Sequence, residues 1–209
     1  MTTLFLIRHG ENDYIKQNRL PGRLPGIHLN EHGREQASAL ARSLEKLPVK
    51  AVFSSPLERA VETAEPIAAS LHLKVKVRPG LKEADAGEWE GQPFKKLYKK
   101  PAWELVEHTP SRMRFPGGES FLELETRIVN ELETIRAAYH PRDLIVVVFH
   151  ADPIKVAVAH YLGLPLDSFQ KITVSPGSAT ILFVNDALVR LVGLNLKPPF
   201  QFELPKRKK

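Results

Sequence analysis

The hydrophobic residues of this chain form short continuous runs, separated by longer segments of helical spacing. Residues 3–7, 51–53 and 144–149 are such runs, and residues 74–77 predict a further short strand. Continuous runs of this kind are typical of strands that are covered on both faces of a parallel sheet. The run at residues 144–149 is the most apolar of the chain, so we expect it to lie at the centre of the sheet.

Four predicted helices begin at recognisable N-terminal signals. Asn30 is a predicted N-cap. Residues 55–58 (SPLE) predict a capping box with proline at the first helical position, and residues 120–123 (SFLE) predict a second box. Residues 152–153 (DP) predict an N-cap followed by a proline, and Gly163 ends that helix. The apolar positions expected to face the core at helical spacing are Ala37, Leu40, Ala41, Leu44, Leu47, Leu124, Ile128, Leu132 and Ile135.

Predicted strands and helices alternate along most of the sequence. This order is typical of an α/β fold with a mostly parallel sheet, and we expect a three-layer sandwich in which helices flank the central sheet. Residues 179–184 and 188–194 are joined through Asn185 and Asp186 and predict a closing β-hairpin. At 209 residues, the chain is long enough for one domain with a large core.

The single domain is predicted to span residues 1–203. The segment 79–118 is rich in proline, glycine, aromatic and charged residues, so we expect an irregular, partly helical region there, with an insertion at about residues 91–118. Residues 204–209 (LPKRKK) predict a basic, disordered tail.

Composition and charge exclude several classes of protein. The chain has no cysteine, so it has no disulfide framework, no thiolate nucleophile and no cysteine-ligated zinc. The formal net charge of +6 would suit an anionic ligand, but part of it lies in the basic tail. No segment approaches the ~20 apolar residues of a membrane span, and the first apolar run is too short for a signal peptide. We therefore expect a soluble, cytoplasmic protein.

Three of the predicted strands lead into segments that carry an imidazole or a cation. Arg8 and His9 follow the first strand, Arg59 lies shortly after the second, and His150 follows residues 144–149. In open α/β sheets, ligands bind beyond the carboxyl ends of the strands, so these segments are expected to converge. Arginine binds phosphate oxygens bidentately, and a neutral imidazole can attack phosphorus. The sequence therefore predicts a phosphate pocket.

Four ordered blocks resemble the signature of the histidine phosphatase superfamily, the phosphoglycerate-mutase-like proteins. They are residues 6–11 (LIRHGE), 54–64 (SSPLERAVETA), 81–91 (LKEADAGEWEG) and 148–150 (VFH), and together they extend over most of the chain. The resemblance implies a phosphomonoesterase that hydrolyses a small phosphorylated metabolite and releases inorganic phosphate. It also implies that the reaction proceeds without a metal or an organic cofactor.

The resemblance implies a role for individual residues. His9 would be the nucleophile that forms a phosphohistidine, while Arg8, Arg59 and His150 would bind the phosphoryl group. Glu83 would be the proton donor. The chemistry agrees with this assignment, because a leaving alkoxide needs a proton in the first step and the attacking water must lose one in the second.

The chain departs from the family pattern around the predicted pocket. The first block commonly continues with threonine and, three residues later, asparagine, where this chain has Asn12 and Ile15. Asn12 and Asn18 are candidates for a substitute amide donor. Glycine usually follows the histidine of the fourth block, whereas here Ala151, which we assign to the phosphate site, is followed by Asp152. We expect these changes to affect substrate affinity and choice more than the core chemistry.

Several polar residues outside the four blocks are candidate substrate contacts. Arg23 lies in a loop that resembles the family's substrate-bordering loop, and Asn12 follows the first block. Arg112 and Arg114 lie in the predicted insertion and could favour a second anionic group on the substrate. Specificity is therefore expected to reside in the insertion.

A phosphoglycerate-type phosphomutase is an alternative function, because such enzymes share the same four blocks. Mutases of the family carry a longer insertion after the third block, whereas here Glu83 is followed closely by residues 87–91 (GEWEG). This spacing favours hydrolysis.

A non-catalytic module that binds a phosphorylated ligand or RNA is the second alternative. The lysines of residues 95–100, which are interleaved with Tyr98, would serve it. A solvated helix face over a small aromatic core is the favoured explanation of these lysines, so nucleic acid is not an expected partner. His28 and His32 stand four residues apart, yet Asn30 is predicted to cap a helix between them, so no metal site is expected.

Overall fold

A six-stranded sheet forms the centre of the protein in a computed structural model, in which residues 1–200 are described. The strands are β1 (Thr2–Arg8), β2 (Val49–Ser54), β3 (Val75–Val77), β4 (Leu144–Phe149), β5 (Ala179–Val184) and β6 (Val189–Leu196). Their order is β3-β2-β4-β1-β5-β6, and the first four strands of that order are parallel. β5 and β6 form the predicted antiparallel hairpin at the other side of the sheet. The predicted central position of β4 is confirmed.

Helices cover both faces of the sheet. The helices are α1 (Asp13–Lys16), α2 (Glu31–Leu44), α3 (Glu58–Ser70), α4 (Phe94–Leu97), α5 (Trp103–His108), α6 (Phe121–Ala137) and α7 (Ala151–Tyr161). Successive residues of a strand point to opposite faces, so Phe5 and Ile7 pack with α2 and α3, while Leu4 and Leu6 pack with α6 and α7. The three-layer α/β sandwich predicted from the sequence is therefore confirmed.

Several predicted helix ends are also confirmed. The Asn30 side chain accepts a hydrogen bond from the amide of Gly33 at the start of α2. Ser120 and Glu123 form a reciprocal capping box at the start of α6. Gly163 has a φ of +67° just beyond α7, in the left-handed region that glycine adopts without steric cost. These signals act within a few residues, so they could be identified without the tertiary structure.

The predicted start of the helix after β2 is wrong by two residues. α3 begins at Glu58 with Leu57 as its N-cap, and Pro56 lies outside the helix. The hydroxyl of Ser55 instead accepts a hydrogen bond from the amide of Leu57 at 3.3 Å and lies 2.8 Å from Nε2 of His150. Ser55 is therefore part of the turn after β2, and this turn contacts the residue that follows β4.

The predicted cap of the last helix is also wrong. α7 begins at Ala151 with His150 as its N-cap, so Asp152 and Pro153 lie within the first turn. The carboxylate of Asp152 forms an ion pair of 3.1 Å with Lys155. Because α7 begins almost directly after β4, His150 is the residue that occupies the N-cap position.

The region between β3 and α6 is irregular and partly helical, as predicted. It contains α4, α5 and three single 3-10 turns, and it buries Trp89, Leu97, Val106 and Phe115 against the core that α6 and α7 share. It therefore packs as part of the domain core. The predicted basic tail at residues 204–209 lies outside the described residues. None of the helices in residues 1–200 has the length and hydropathy that crossing a membrane requires.

Candidate active site

Three strand ends meet at one edge of the sheet because β4 lies between β1 and β2. Arg8 pairs in register with Phe149, so the next residues along each strand, His9 and His150, emerge side by side. Their ring centroids are 5.2 Å apart. The structure thus brings together segments that are more than a hundred residues apart in the sequence.

The imidazole of His9 is held in one tautomer. Its Nδ1 lies 2.7 Å from the carbonyl oxygen of Gly10, and because a carbonyl can only accept, Nδ1 carries the proton. Nε2 then bears the lone pair, which accepts a hydrogen bond from Nε of Arg59 at 3.3 Å. The backbone amide of His9 donates to the carbonyl of Phe149 at 3.0 Å. Nε2 is therefore the atom of His9 that is available as a nucleophile.

Two glycines let the loop after β1 lie directly on the start of α2. A Cβ on Gly33 would lie 2.1 Å from the carbonyl oxygen of Glu11, and a Cβ on Gly10 would lie 2.5 Å from the carbonyl oxygen of Gly33. The amide of Gly10 also donates to the hydroxyl of Thr63 in α3 at 3.0 Å. Contacts with two helices therefore fix the backbone that carries His9.

Arg59 is a fully buried cation. Its Nη2 donates to the carbonyl of Gly22 at 2.7 Å and its Nε donates to His9. Within residues 1–200, no carboxylate forms an ion pair with it, and its Nη1 has no hydrogen-bond partner. Burial lowers the pKa of Arg59 to about 10, which still leaves the guanidinium protonated at neutral pH. The arginine is thus placed to hold an anion beside His9.

Arg8 and His150 each use one side-chain nitrogen to fix their orientation. Nη1 of Arg8 donates to the carbonyl of Val174 at 2.7 Å. Nε2 of His150 lies 2.8 Å from the hydroxyl of Ser55. Of their other nitrogens, Nε of Arg8 and Nδ1 of His150 are buried and lack a partner among the described residues.

Four buried side-chain nitrogens without a hydrogen-bond partner in residues 1–200 all belong to the predicted pocket or its border. They are Nε of Arg8, Nδ2 of Asn12, Nη1 of Arg59 and Nδ1 of His150. Buried polar groups in proteins are nearly always paired, so such a cluster indicates a ligand that accepts hydrogen bonds. Two of the residues are arginines, which favours an anion with several oxygens, such as phosphate.

Both histidines are neutral in this environment. Burial, followed by the charges of Arg59 and Arg8, lowers the pKa of His9 well below its usual value. Burial and the charge of Arg59 also lower the pKa of His150. Without a bound anion, His150 is therefore a neutral hydrogen-bonding group. A neutral His9 keeps its lone pair, which nucleophilic attack requires.

Glu83 lines the same cavity as Arg8 and His9. Burial, followed by the negative charge of Asp152, raises the pKa of the Glu83 carboxyl to about 7. The amide of Ala84 donates to its Oε1 at 2.9 Å and acts in the opposite direction. A carboxyl group that titrates near neutral pH can both donate and accept a proton during one reaction cycle.

The cavity extends from the predicted phosphate pocket at Arg8 and His9 toward the insertion. Its volume is about 690 Å³, within the ~300–1,000 Å³ range of small-molecule sites. Phe94, Trp103, Val106 and Phe115 form an apolar wall. Lys155 and Lys171 contribute positive charge to the lining.

The structure separates the proposed substrate contacts into different environments. Asn12 is buried, with its Oδ1 accepting from the amide of Ile15. Arg112 and Arg114 are exposed and do not line the cavity, and Arg114 pairs with Glu123. Both side chains therefore lie on the outer surface, and their expected role as second-anion contacts stays a prediction.

Arg23 and Ala151 differ in their position relative to the cavity. The side chain of Arg23 does not line the cavity and donates instead to the carbonyl of Glu83 and to two carboxylates, Asp85 and Glu119. Arg23 therefore contacts the loop that carries Glu83, while its expected contact with the substrate stays a prediction. Ala151 lines the cavity at the first position of α7, where backbone amides have no acceptor within the helix.

Three supporting residues were missed by sequence reasoning. Ser55 and Thr63 lie within the second block, and their contacts with His150 and Gly10 explain why polar residues occur there. Arg127 lies in the middle of α6 and donates to the loop of Glu83. Nothing in the local sequence distinguishes it from a solvated helical arginine.

No group of three or more His, Asp or Glu side chains in residues 1–200 is arranged to hold a metal ion. His28 lies instead against Glu62, at the surface.

The model of the histidine phosphatase superfamily (branch 1) matches residues 4–197 of this chain. Phosphoserine phosphatase 1 from Hydrogenobacter thermophilus is 30% identical to it, over 94% of this chain and 93% of that protein. The match thus extends over nearly the full length of both proteins.

Solved structures show the same fold. YhfR from Bacillus stearothermophilus has a TM-score of 0.86 and 26% identity, covering 93% of this chain and 97% of that one. Phosphoserine phosphatase from Entamoeba histolytica, solved in complex with 3-phosphoglyceric acid, has a TM-score of 0.84 and 25% identity, covering 95% of this chain and 99% of that one.

Proposed function

This chain belongs to the histidine phosphatase superfamily, and from that premise we propose that it hydrolyses a phosphomonoester through a phosphohistidine formed on Nε2 of His9. Its membership and its phosphatase relatives identify it as a phosphatase of small phosphorylated metabolites. The residue roles and the covalent intermediate are the parts that we propose.

The observation that carries the proposal is the state of His9 and its neighbours. Nδ1 is occupied by its hydrogen bond to Gly10, the ring is neutral, and Nε2 faces the guanidinium of Arg59. Four side-chain nitrogens that have no partner within residues 1–200 lie in or beside the same pocket. This combination supports attack by an imidazole on a phosphoryl group whose oxygens are held by cations and amides.

In the first step, Nε2 of His9 attacks phosphorus and forms a P–N bond as the ester P–O bond breaks. Arg8, Arg59 and His150 donate hydrogen bonds to the equatorial oxygens, where charge accumulates. The protonated carboxyl of Glu83 gives its proton to the leaving alkoxide, and the alcohol departs.

In the second step, water attacks the phosphohistidine. The Glu83 carboxylate removes a proton from the water, the P–N bond breaks, and inorganic phosphate is released. His9 regains its lone pair and Glu83 its proton, so the cycle closes with only side-chain chemistry.

The alcohol part of the substrate would lie against the insertion. Phe94, Trp103 and Phe115 form the wall of the cavity beyond His9, so they would contact this part of the molecule. Relatives named as phosphoserine phosphatases make phosphoserine and 3-phosphoglycerate natural first substrates to assay.

A panel of phosphomonoesters tests the proposed function. With phosphoserine, 3-phosphoglycerate and aryl phosphates, we expect stoichiometric release of alcohol and inorganic phosphate in the absence of bisphosphoglycerate. Formation of an isomeric phosphoester that requires bisphosphoglycerate, without release of phosphate, would instead identify a mutase.

The Glu83→Gln variant tests the proton donor. We expect kcat/KM for alkyl phosphates to fall roughly 100-fold, because a poor leaving group needs the proton. For aryl phosphates, kcat/KM should change little, since a phenolate leaves without protonation. The second step also loses its base, so aryl substrates should give a burst of phenol. Equal losses of kcat/KM for both substrate classes would contradict the assignment.

The same carboxyl predicts the pH profile of the unmodified enzyme. The pKa of Glu83 is raised to about 7, so its proton is present below that pH and is lost above it. We expect kcat/KM for alkyl phosphates to decrease as pH rises above about 7, and this decrease should be absent in Glu83→Gln. The lowered pKa of His9 keeps the nucleophile neutral on the acidic side. A profile unchanged by the substitution would count against Glu83.

A further inference from the structure

The backbone of Glu83 is held by two arginines that come from distant parts of the chain. Nε of Arg23 donates to the carbonyl of Glu83 at 2.8 Å, and Nη2 of Arg127 donates to the same oxygen at 3.3 Å. Arg23 lies in the loop after α1, whereas Arg127 lies in α6. Neither side chain lines the cavity, so both contact the backbone of Glu83 from outside the cavity.

One carboxylate joins the two arginines. Oε1 of Glu119 accepts from Nη2 of Arg23 at 3.0 Å, from Nη2 of Arg127 at 2.7 Å and from the amide of Asp85 at 2.9 Å. The three charged side chains are between 14% and 25% exposed, so water screens them only in part. We call Arg23, Glu119 and Arg127 the Glu83 clamp.

The clamp holds the loop on both sides of Glu83. Nη1 of Arg127 donates to the carbonyl oxygens of Gly80 at 2.7 Å and Lys82 at 2.9 Å. Nη1 of Arg23 donates to the carboxylate of Asp85 at 2.9 Å. The backbone of an irregular segment is thereby tied to the regular helix α6.

The same loop also meets the phosphate pocket. Gly22, the residue before Arg23, accepts the hydrogen bond of 2.7 Å from Nη2 of Arg59. The backbone amide of Arg23 donates to Glu90 at 2.7 Å. A single stretch of chain therefore contacts both the guanidinium beside His9 and the carbonyl of Glu83.

We propose that Arg23 and Arg127, joined by Glu119, are positioning residues that hold the Glu83 carboxyl at the leaving-group oxygen. This proposal rests on the proposed function of Glu83 as proton donor. Proton transfer requires a heavy-atom separation of about 2.6–3.2 Å, so a small displacement of the loop impairs the step. Among the described residues, Arg8 and His150 make no hydrogen bond to the clamp. Arg59 meets this stretch of chain at the backbone carbonyl of Gly22, which the side-chain substitutions below leave in place.

Arg23→Lys and Arg127→Lys test the proposal, because lysine keeps the charge but cannot donate in several fixed directions. For each variant we expect kcat/KM for alkyl phosphates to fall about tenfold. We expect kcat/KM for aryl phosphates and the inhibition constant of inorganic phosphate to stay within about twofold. Arg136→Lys is the matched control, since Arg136 lies in the same helix and pairs with Glu133 and Asp186 away from the site.

The comparison of substrates separates positioning from a general structural role. If both substrate classes lose kcat/KM equally, or phosphate inhibits less strongly, the clamp supports the fold and the proposal is wrong. Unchanged kcat/KM for alkyl phosphates in both variants would also refute it. If Glu83→Gln itself fails to distinguish alkyl from aryl substrates, the role of Glu83 is wrong instead. Thermal unfolding of the two variants identifies any loss of folded protein.

Discussion

Replacement of His9 by alanine is expected to lower kcat/KM for phosphomonoesters by about 100,000-fold, since loss of a nucleophile removes the covalent route entirely. The remaining donors of Arg8, Arg59 and His150 would still bind the phosphoryl group. We therefore expect inorganic phosphate to bind His9→Ala with an affinity similar to that for the unmodified protein, as measured by calorimetry. Phosphate should also inhibit any residual activity of the variant competitively. This separation of binding from turnover is the result that identifies a nucleophile.

A trapping experiment and a control variant accompany the His9→Ala assay. Rapid acid-free quenching with a radiolabelled substrate should trap an acid-labile, base-stable phosphoenzyme in the unmodified protein and none in the variant. His160→Ala is the control, because His160 lies on α7 and contacts Glu125 outside the site. Retention of more than a few per cent of the activity by a folded His9→Ala protein would show that another group attacks phosphorus.

Replacement of Arg59 by methionine is expected to lower kcat/KM by about 10,000-fold, as for other arginines that stabilise a phosphoryl transition state. The guanidinium contacts Nε2 of His9, and its Nη1 has no partner within residues 1–200, so in the proposed mechanism it lies where negative charge develops during transfer. Arg59→Lys should recover only part of the loss, because an ammonium cannot contact the nucleophile, the loop carbonyl and the phosphate together. Arg34→Met on the exposed face of α2 should leave kcat/KM unchanged.

The stability of Arg59→Met provides an independent check. Arg59 is buried without an ion pair among the described residues, and burial disfavours its charged form, as its lowered pKa indicates. Removal of the cation should therefore leave the melting temperature unchanged or raise it. Phosphate should raise the melting temperature of the unmodified protein, because it binds the folded state, and should do so much less in the variant. A large loss of stability would indicate a structural role for Arg59.

The fold could be predicted in most respects because its signals are local. The apolar run at residues 144–149 identified the central strand, and the reciprocal cap of Ser120 and Glu123 identified the start of α6. The starts of α3 and α7 were predicted incorrectly. At Ser55, a side chain that commonly caps helices instead contacts His150, which is 95 residues away in the sequence and lies nearby only in the folded protein. Asp152 pairs with Lys155 in the same helix, and its own position in the first turn follows from the direct passage of β4 into α7.

The residues of the proposed phosphate pocket could also be found in the sequence. Arg8, His9, Arg59 and His150 stand at the ends of strands or within the blocks that follow them, and parallel strands bring such positions to one edge. The raised pKa of Glu83 could not be inferred, since it depends on burial and on the proximity of Asp152. The neutrality of His150 likewise depends on burial and on the charge of Arg59.

The sequence alone was sufficient for the fold class and the family resemblance, and it supplied the reactive groups that we propose, because hydrophobic periodicity and sequence motifs can be recognised without the tertiary structure. The division of labour among the arginines required the folded chain. Arg23 and Arg59 carry the same charge, and each lies in a segment that the sequence linked to the substrate. Long-range packing brings Arg59 to His9 and Arg23 to the carbonyl of Glu83. The role of an arginine follows from the acceptor that lies within about 3 Å of its donors, and only distant segments of the chain supply that acceptor.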